Sequence, residues 1–192
     1  MKKDKAIEVV RQQLTQERFD HTLRVAETGI YLAKMYGISE KKTELAAIFH
    51  DYAKYRSTEE MARWIKSTKT LSKDLLNYHH ELWHGPVGAV LVERECGITD
   101  KDILSAIHYH TTGKAMMSKL DMIIFLADYI EPNRSFPGVE EVREMADADL
   151  MRACWMALRN TCIFLLEKKV TVYPDTFYAY NDLTNRIDGG NL

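Results

Sequence analysis

The chain has 192 residues, 46% of them hydrophobic and 28% charged, a length that favours one domain able to bury its own core. Its formal net charge of -2, with no basic tract anywhere, argues against an electrostatic grip on nucleic acid. The longest apolar run, Met122 to Ile130, is short and carries Asp128, and Met1 to Lys5 leads into an amphipathic pattern, so neither a membrane span nor a signal-peptide core is expected.

Ile7, Val10 and Leu14 recur at helical spacing, and a second helix is predicted from about Glu17 to Tyr36, closed by Gly37. Ser39 is placed to cap a helix carrying Leu45 to Lys54, and Ser57 with Glu60 has capping-box spacing for a short helix beyond it. Polarity is mixed from Ser72 to Leu82. His84-Gly85-Pro86 then puts proline near a helix start, and Gly97 stands where that helix can stop. Thr99 with Asp102 is predicted to cap a helix through Ile103, Leu104 and Ile107, which runs into His110-Thr111-Thr112-Gly113. Ser118 opens another, Leu120 to Ile130, broken by Glu131-Pro132; Gly138 to Met145 and Asp149 to Lys169 read as two more, and Pro174 opens a last helix through Leu183.

Val170-Thr171-Val172-Tyr173 is the one β-branched run, and no hairpin turn links alternating segments, so the fold class is all-α. A single domain over 1–192 is expected, with Asp188 to Leu192 as a frayed tail. Cys96, Cys154 and Cys162 make no CxxC element or paired framework, which suits packing roles in a reducing cytoplasm. Trp64, Trp83 and Trp155 are expected to be exposed, for core or for homodimer contact.

The informative stretch is Leu45-Ala46-Ala47-Ile48-Phe49-His50-Asp51, where an apolar helical run meets a histidine and an aspartate. A buried charge or unpaired polar group is costly, and a divalent metal would satisfy both residues at once. Asp128 interrupts Ile123-Ile124-Phe125-Leu126-Ala127 in the same way. Side chains adjacent on a helix point about 100° apart, so other helices must close the far side of such an ion, and His21 and Asp128 suit that place. Imidazole and carboxylate without thiolate fit iron, manganese, zinc, cobalt or nickel in an open coordination sphere. Such an ion lowers the pKa of a bound water from 15.7 toward about 7 and polarises phosphoryl oxygens, which points to hydrolysis of a phosphate ester or anhydride. His79 and His80 lie in a polar stretch and read as surface residues, while helical geometry alone does not choose between His108 and His110.

His21, the His50-Asp51 dyad and Asp128 match the H...HD...D pattern of the HD-domain metal-dependent phosphohydrolases, an all-α superfamily. Ile48 to Lys54, Leu82 to Ala89, Tyr109 to Gly113, Ala127 to Arg134 and Val172 to Phe177 together resemble the YqeK family over nearly the whole chain. The resemblance implies an iron-type centre and symmetrical cleavage of diadenosine tetraphosphate, or a related dinucleoside polyphosphate, into two ADP. It assigns His21, His50, Asp51 and Asp128 to the metal, and places His84 and His110 on the substrate side.

Lys54, one helical turn beyond His50, is expected to reach phosphates; Arg18 and Arg134 are expected to pair with phosphate oxygens through their planar guanidinium groups. Thr111, and Asp175 with Thr176 at the helix start after Pro174, would border the nucleotide. Lys54, His84 and His110 would neutralise or protonate the scissile group, unless His84 and His110 complete a second metal site, so one ion or two stays open. The alternatives are another nucleotide for the same chemistry, an oxygen-activating di-iron centre, or a nucleotide sensor without turnover.

Overall fold

The described residues of the computed structural model, positions 1–188, form ten α-helices joined by turns and two short 3-10 segments, with no strand among them. The helices are α1 (Lys3–Arg11), α2 (Gln16–Met35), α3 (Glu40–Phe49), α4 (Thr58–Ser67), α5 (His84–Cys96), α6 (Lys101–Tyr109), α7 (Lys119–Ile130), α8 (Val139–Ala148), α9 (Leu150–Glu167) and α10 (Pro174–Asp188). The mixed stretch before α5 becomes the 3-10 segments Lys73–Asn77 and His80–Leu82. None of the described helices is long and apolar enough to cross a membrane. Positions 189–192, in the expected tail, lie outside the described residues.

Local chemistry sets most of the ends. The side chains of Thr15, Ser39 and Ser57 accept backbone N–H groups of Arg18, Lys42 and Glu60, satisfying donors that a helix start leaves free. Ser118 and Asp121 form a reciprocal capping box at α7. Gly37 and Gly97 follow α2 and α5 in the left-handed region, at φ 67° and 65°. One cap differs from the sequence reading: Asp100, not Thr99, accepts the N–H groups of Asp102 and Ile103, because a carboxylate one residue closer reaches both.

α7 is the central helix, with nine of its twelve residues buried. Leu120, Ile124 and Ala127 join one apolar cluster with α1, α3, α5 and α6, whereas Met122, Ile123, Phe125, Leu126 and Ile130 join a second with α8, α9 and α10. α2 packs along α3 and α7, and α6 packs against α3, α5 and α7, so the ends of α3, α5 and α6 and the flank of α2 meet near the C-terminal half of α7. The α5–α6 approach depends on Gly85, where an added Cβ would lie 2.7 Å from the His108 carbonyl oxygen.

The helix expected to carry Leu45 to Lys54 stops at Phe49. Beyond it, Tyr52, Lys54 and Arg56 donate N–H groups to the carbonyls of Phe49, Asp51 and Ala53, a chain of three-residue turns. His50 and Asp51 therefore lie at the end of α3, and Lys54 is not one helical turn beyond His50. The tryptophans also differ from expectation: Trp64 and Trp83 pack half-buried against the first cluster and Trp155 against the second.

Candidate metal centre

Four imidazoles and two carboxylates converge where those helix ends meet. His50 follows the last residue of α3, His84 is the first of α5, His110 follows the last of α6, and His21 projects from α2. His21, His50, Asp51, His84 and His110 are all at most 5% exposed. Three triads have ligand atoms within 4.8 Å of one another: His21, His50 and Asp51; His50, His110 and Asp128; and Asp51, His84 and His110.

The hydrogen bonds fix which nitrogen each ring offers. His50 Nδ1 lies 2.7 Å from the Ala47 carbonyl, His84 Nδ1 2.6 Å from that of Glu81, and His110 Nδ1 2.8 Å from that of Ile107. A carbonyl only accepts, so each Nδ1 donates. His21 Nδ1 donates to Glu131 Oε1 at 3.1 Å. In the neutral rings every Nε2 is then a lone pair, and all four enter one space. Metal-binding histidines are oriented in this way, with the second nitrogen held by a carbonyl or carboxylate.

What surrounds those lone pairs calls for a cation. His21 Nε2, His50 Nε2 and Asp51 Oδ1 are buried without a hydrogen-bond partner among the described residues, a rare condition in folded proteins. His84 Nε2 and His110 Nε2 face each other at 3.0 Å, so two neutral acceptors point together. Asp51 presents Oδ2 to His50 Nε2 at 3.0 Å and Oδ1 to His84 Nε2 at 3.1 Å, and thus lies between two pairs of imidazoles. Burial opposes charge on Asp51, but His50 and His84 outweigh it and hold the carboxyl well below the usual range; against burial, Asp51 in turn raises His50, so a proton and a metal cation compete for that ring's Nε2. Burial, His84 and His50 push His110 down to about 3, which keeps that ring neutral. The donor set fits a divalent metal.

Other expected residues take mixed places. Asp128 Oδ1 is 3.0 Å from His21 Nε2 and accepts from Arg134 Nη2 at 2.7 Å. Arg18 Nε donates to Asp51 Oδ2, so its guanidinium is engaged with the centre itself. Lys54 Nζ pairs with Glu81 Oε2 at 2.6 Å. His110, not His108, enters the cluster, and His79 and His80 are exposed, as their polar setting implied. Asp175 and Thr176 form the first turn of α10 and belong to none of the three triads; burial raises the Asp175 carboxyl above its ordinary range.

Sequence reasoning missed Glu131 and Arg24. Glu131 is 2% exposed and accepts from Arg24 Nε at 2.6 Å and from the Asn133 N–H at 2.9 Å, as well as from His21. Burial would raise its carboxyl, but these partners bring it down to about 2. A signal existed: an acidic residue beside the C-terminal end of an apolar helix opposes the helix dipole, so a local partner had to hold it there.

Three cavities reach these donors. One of about 750 Å³ is lined by Arg18, His21, Arg24, Tyr55, Glu131 and Arg134, among others. Another, of about 220 Å³, opens beside His84 with Lys54, Tyr55 and Arg56. The third, of about 230 Å³, opens beside His110 and Asp128 with Thr111, Phe125 and Tyr129.

The HD domain family model matches residues 18–133, the span that holds all six donors. Over nearly their whole lengths, two proteins each named "Bis(5'-nucleosyl)-tetraphosphatase, symmetrical" are similar to this chain. The one from Bacillus subtilis is 51% identical across 96% of this chain and 99% of its own, and the one from Halalkalibacterium halodurans 53% identical across 95% and 97%. The chain belongs to the HD-domain family, in its YqeK branch. A solved structure of an HD superfamily hydrolase from Clostridium acetobutylicum, described as involved in NAD metabolism, is 36% identical and has a TM-score of 0.91 over 97% of this chain and 98% of that one. The likeness to that solved HD hydrolase includes α8 to α10, which lie beyond the HD match, so these helices are part of the shared fold.

Proposed function

We propose that the protein is a metal-dependent phosphoanhydride hydrolase that cuts diadenosine tetraphosphate, and related dinucleoside polyphosphates, symmetrically, releasing two ADP from diadenosine tetraphosphate. The observation that carries this reading is the convergence of four oriented Nε2 lone pairs and two carboxylates, with three cavities each lined by at least one of these donors. Near-complete alignment with relatives named for that activity supports it. The whole chain is read as one HD domain acting in the cytoplasm.

His21, His50, Asp51 and Asp128 would hold one divalent ion. His84 and His110, with the second oxygen of Asp51, would hold another, since two Nδ1-protonated imidazoles facing at 3.0 Å have no proton to give a phosphate. Iron is the proposed metal, and manganese, cobalt, nickel and zinc accept the same donors. When bound, the metal supplies Lewis acidity toward phosphoryl oxygen and acidifies water.

The protein's own part is positioning and charge. Arg18, Arg24 and Arg134 line the large cavity, where planar guanidinium groups match phosphate oxygens. Water adds to one of the two central phosphorus atoms, the bond to the central bridging oxygen breaks, and ADP leaves with that oxygen. Lys54, beside His84, would exchange its Glu81 partner for the leaving phosphate and neutralise it. Thr111 and Arg134 line the cavity beside His110 and would border the nucleotide there; Asp175 and Thr176, expected to do the same, line none of these three cavities, and Thr176 is buried. Incubating diadenosine tetraphosphate with the wild type and with the double variant His50→Ala, Asp51→Ala, with products separated, tests the reading. Two ADP from the wild type alone is expected; ATP with AMP refutes symmetrical cleavage.

A further inference from the structure

The 220 Å³ and 230 Å³ cavities flank the centre in a matched way. His84 lines one and His110 the other, and their Nε2 atoms are 3.0 Å apart. Each is smaller than the ~300–1,000 Å³ of a cavity that holds a whole small-molecule ligand, so each suits one end of a longer molecule. Arg56 lines the first and Thr111 the second, and each carries a buried polar atom, Nε and Oγ1, without a partner among the described residues. The Arg56 Nη atoms are already engaged by Glu60 and Glu95, which leaves the Nε–H as a donor without an acceptor.

The cavity beside His84 plays no part in the roles above except through Lys54 and His84. Its rim carries exposed rings, Tyr55 and His80, with His80 stacked on His79 at 4.5 Å and 27° between planes. Tyr55 also lines the large cavity that holds Arg18, Arg24 and Arg134, so the two spaces share that residue. Exposed aromatic rings beside the cavity that Arg18, Arg24 and Arg134 line, with Glu17, Asp20 and Glu131, are what a nucleobase stacks on.

We propose that this cavity seats the second nucleoside, the one on the leaving ADP, with its base against Tyr55 and His80. The inference rests on the proposed cleavage of a dinucleoside polyphosphate. It makes the protein selective for substrates with a nucleoside at both ends over those with one.

Thr58 is exposed at the start of α4 and lines the cavity, so Thr58→Trp fills the space from the surface, and His80→Ala removes one stacking ring. Steady-state rates on diadenosine tetraphosphate are to be compared with those on adenosine 5'-tetraphosphate, which has one nucleoside, and ADP binding to the metal-loaded proteins is to be counted by calorimetry. The expected result is a kcat/KM for the two-nucleoside substrate reduced about tenfold or more in each variant, unchanged rates on the one-nucleoside substrate, and two ADP per wild-type chain but one in Thr58→Trp. Equal losses on both substrates, or two ADP still bound by Thr58→Trp, overturn the proposal. A wild type that hydrolyses neither substrate refutes the activity itself, and a wild type that cleaves both equally refutes the second-nucleoside site alone.

Discussion

The four rings of the candidate metal centre are oriented by two different means. At the His84–His110 end, and at His50, each ring is set by a carbonyl three residues earlier in its own turn: Ala47, Glu81 and Ile107. The His21 ring is set instead by Glu131, a side chain 110 positions away, which is itself held by Arg24 and the Asn133 amide. Rings of the first kind form with the local helix end and need no distant partner. The His21 arm exists only when α2 and the end of α7 have docked, so it is the arm that a side-chain substitution outside the donor set can loosen.

Asp51→Ala should break both ends together, because its two oxygens face opposite imidazole pairs. Losing several kcal/mol of metal polarisation, at tenfold per 1.36 kcal/mol, lowers kcat by ~10³ or more. The same variant should bind neither ion in a calorimetric titration; retained binding of two ions would show that the aspartate is not shared. Glu131→Gln should separate the ends, weakening one metal step by about 10- to 100-fold while leaving the second step unchanged. Equal weakening of both steps would mean that the two arms are not independent.

At the other end, no side chain outside the donor set orients the rings, so the sensitive position is backbone. Gly85→Ala should force α5 away from the His108 carbonyl and cost about 1–3 kcal/mol, read as a lower midpoint in thermal unfolding, with the His84–His110 metal step lost before the His21 step. An unchanged midpoint would contradict the close approach of α5 and α6.

The smallest expected effect concerns His108, the histidine that stays outside the cluster. Burial, aided by Lys114, brings its imidazole down to about 4. A histidine with a depressed folded pKa contributes stability above its unfolded value, ~6.5, and loses it as pH falls toward the folded value. His108→Asn should therefore flatten the pH dependence of stability between about 6.5 and 4, by up to about 3 kcal/mol, measured by denaturant titration across that window. Parallel curves for the two proteins would rule this out.

Much of the centre was legible in the sequence because apolar runs make their exceptions visible. His50-Asp51 and Asp128 stood out against aliphatic neighbours, and the caps at Ser39, Ser57 and Ser118 followed from residue type alone. The end of α3 at Phe49 was not legible, since Tyr52 and Ala53 continue the apolar pattern while the backbone tightens into three-residue turns. The choice of His110 over His108 needed the family pattern, because both flank the same apolar stripe. Glu131, the Arg18–Asp51 pair and the cavity beside His84 join residues 27 or more positions apart, and nothing in local spacing records such meetings.

The central proposal is that these six side chains would hold two divalent ions, with Asp51 shared between them. Elemental analysis of protein purified without oxygen, run in parallel on the wild type and Asp51→Ala, tests it most directly. Two ions per wild-type chain and none in the variant is the predicted result; one ion per wild-type chain, or equal metal content in the two proteins, would contradict it.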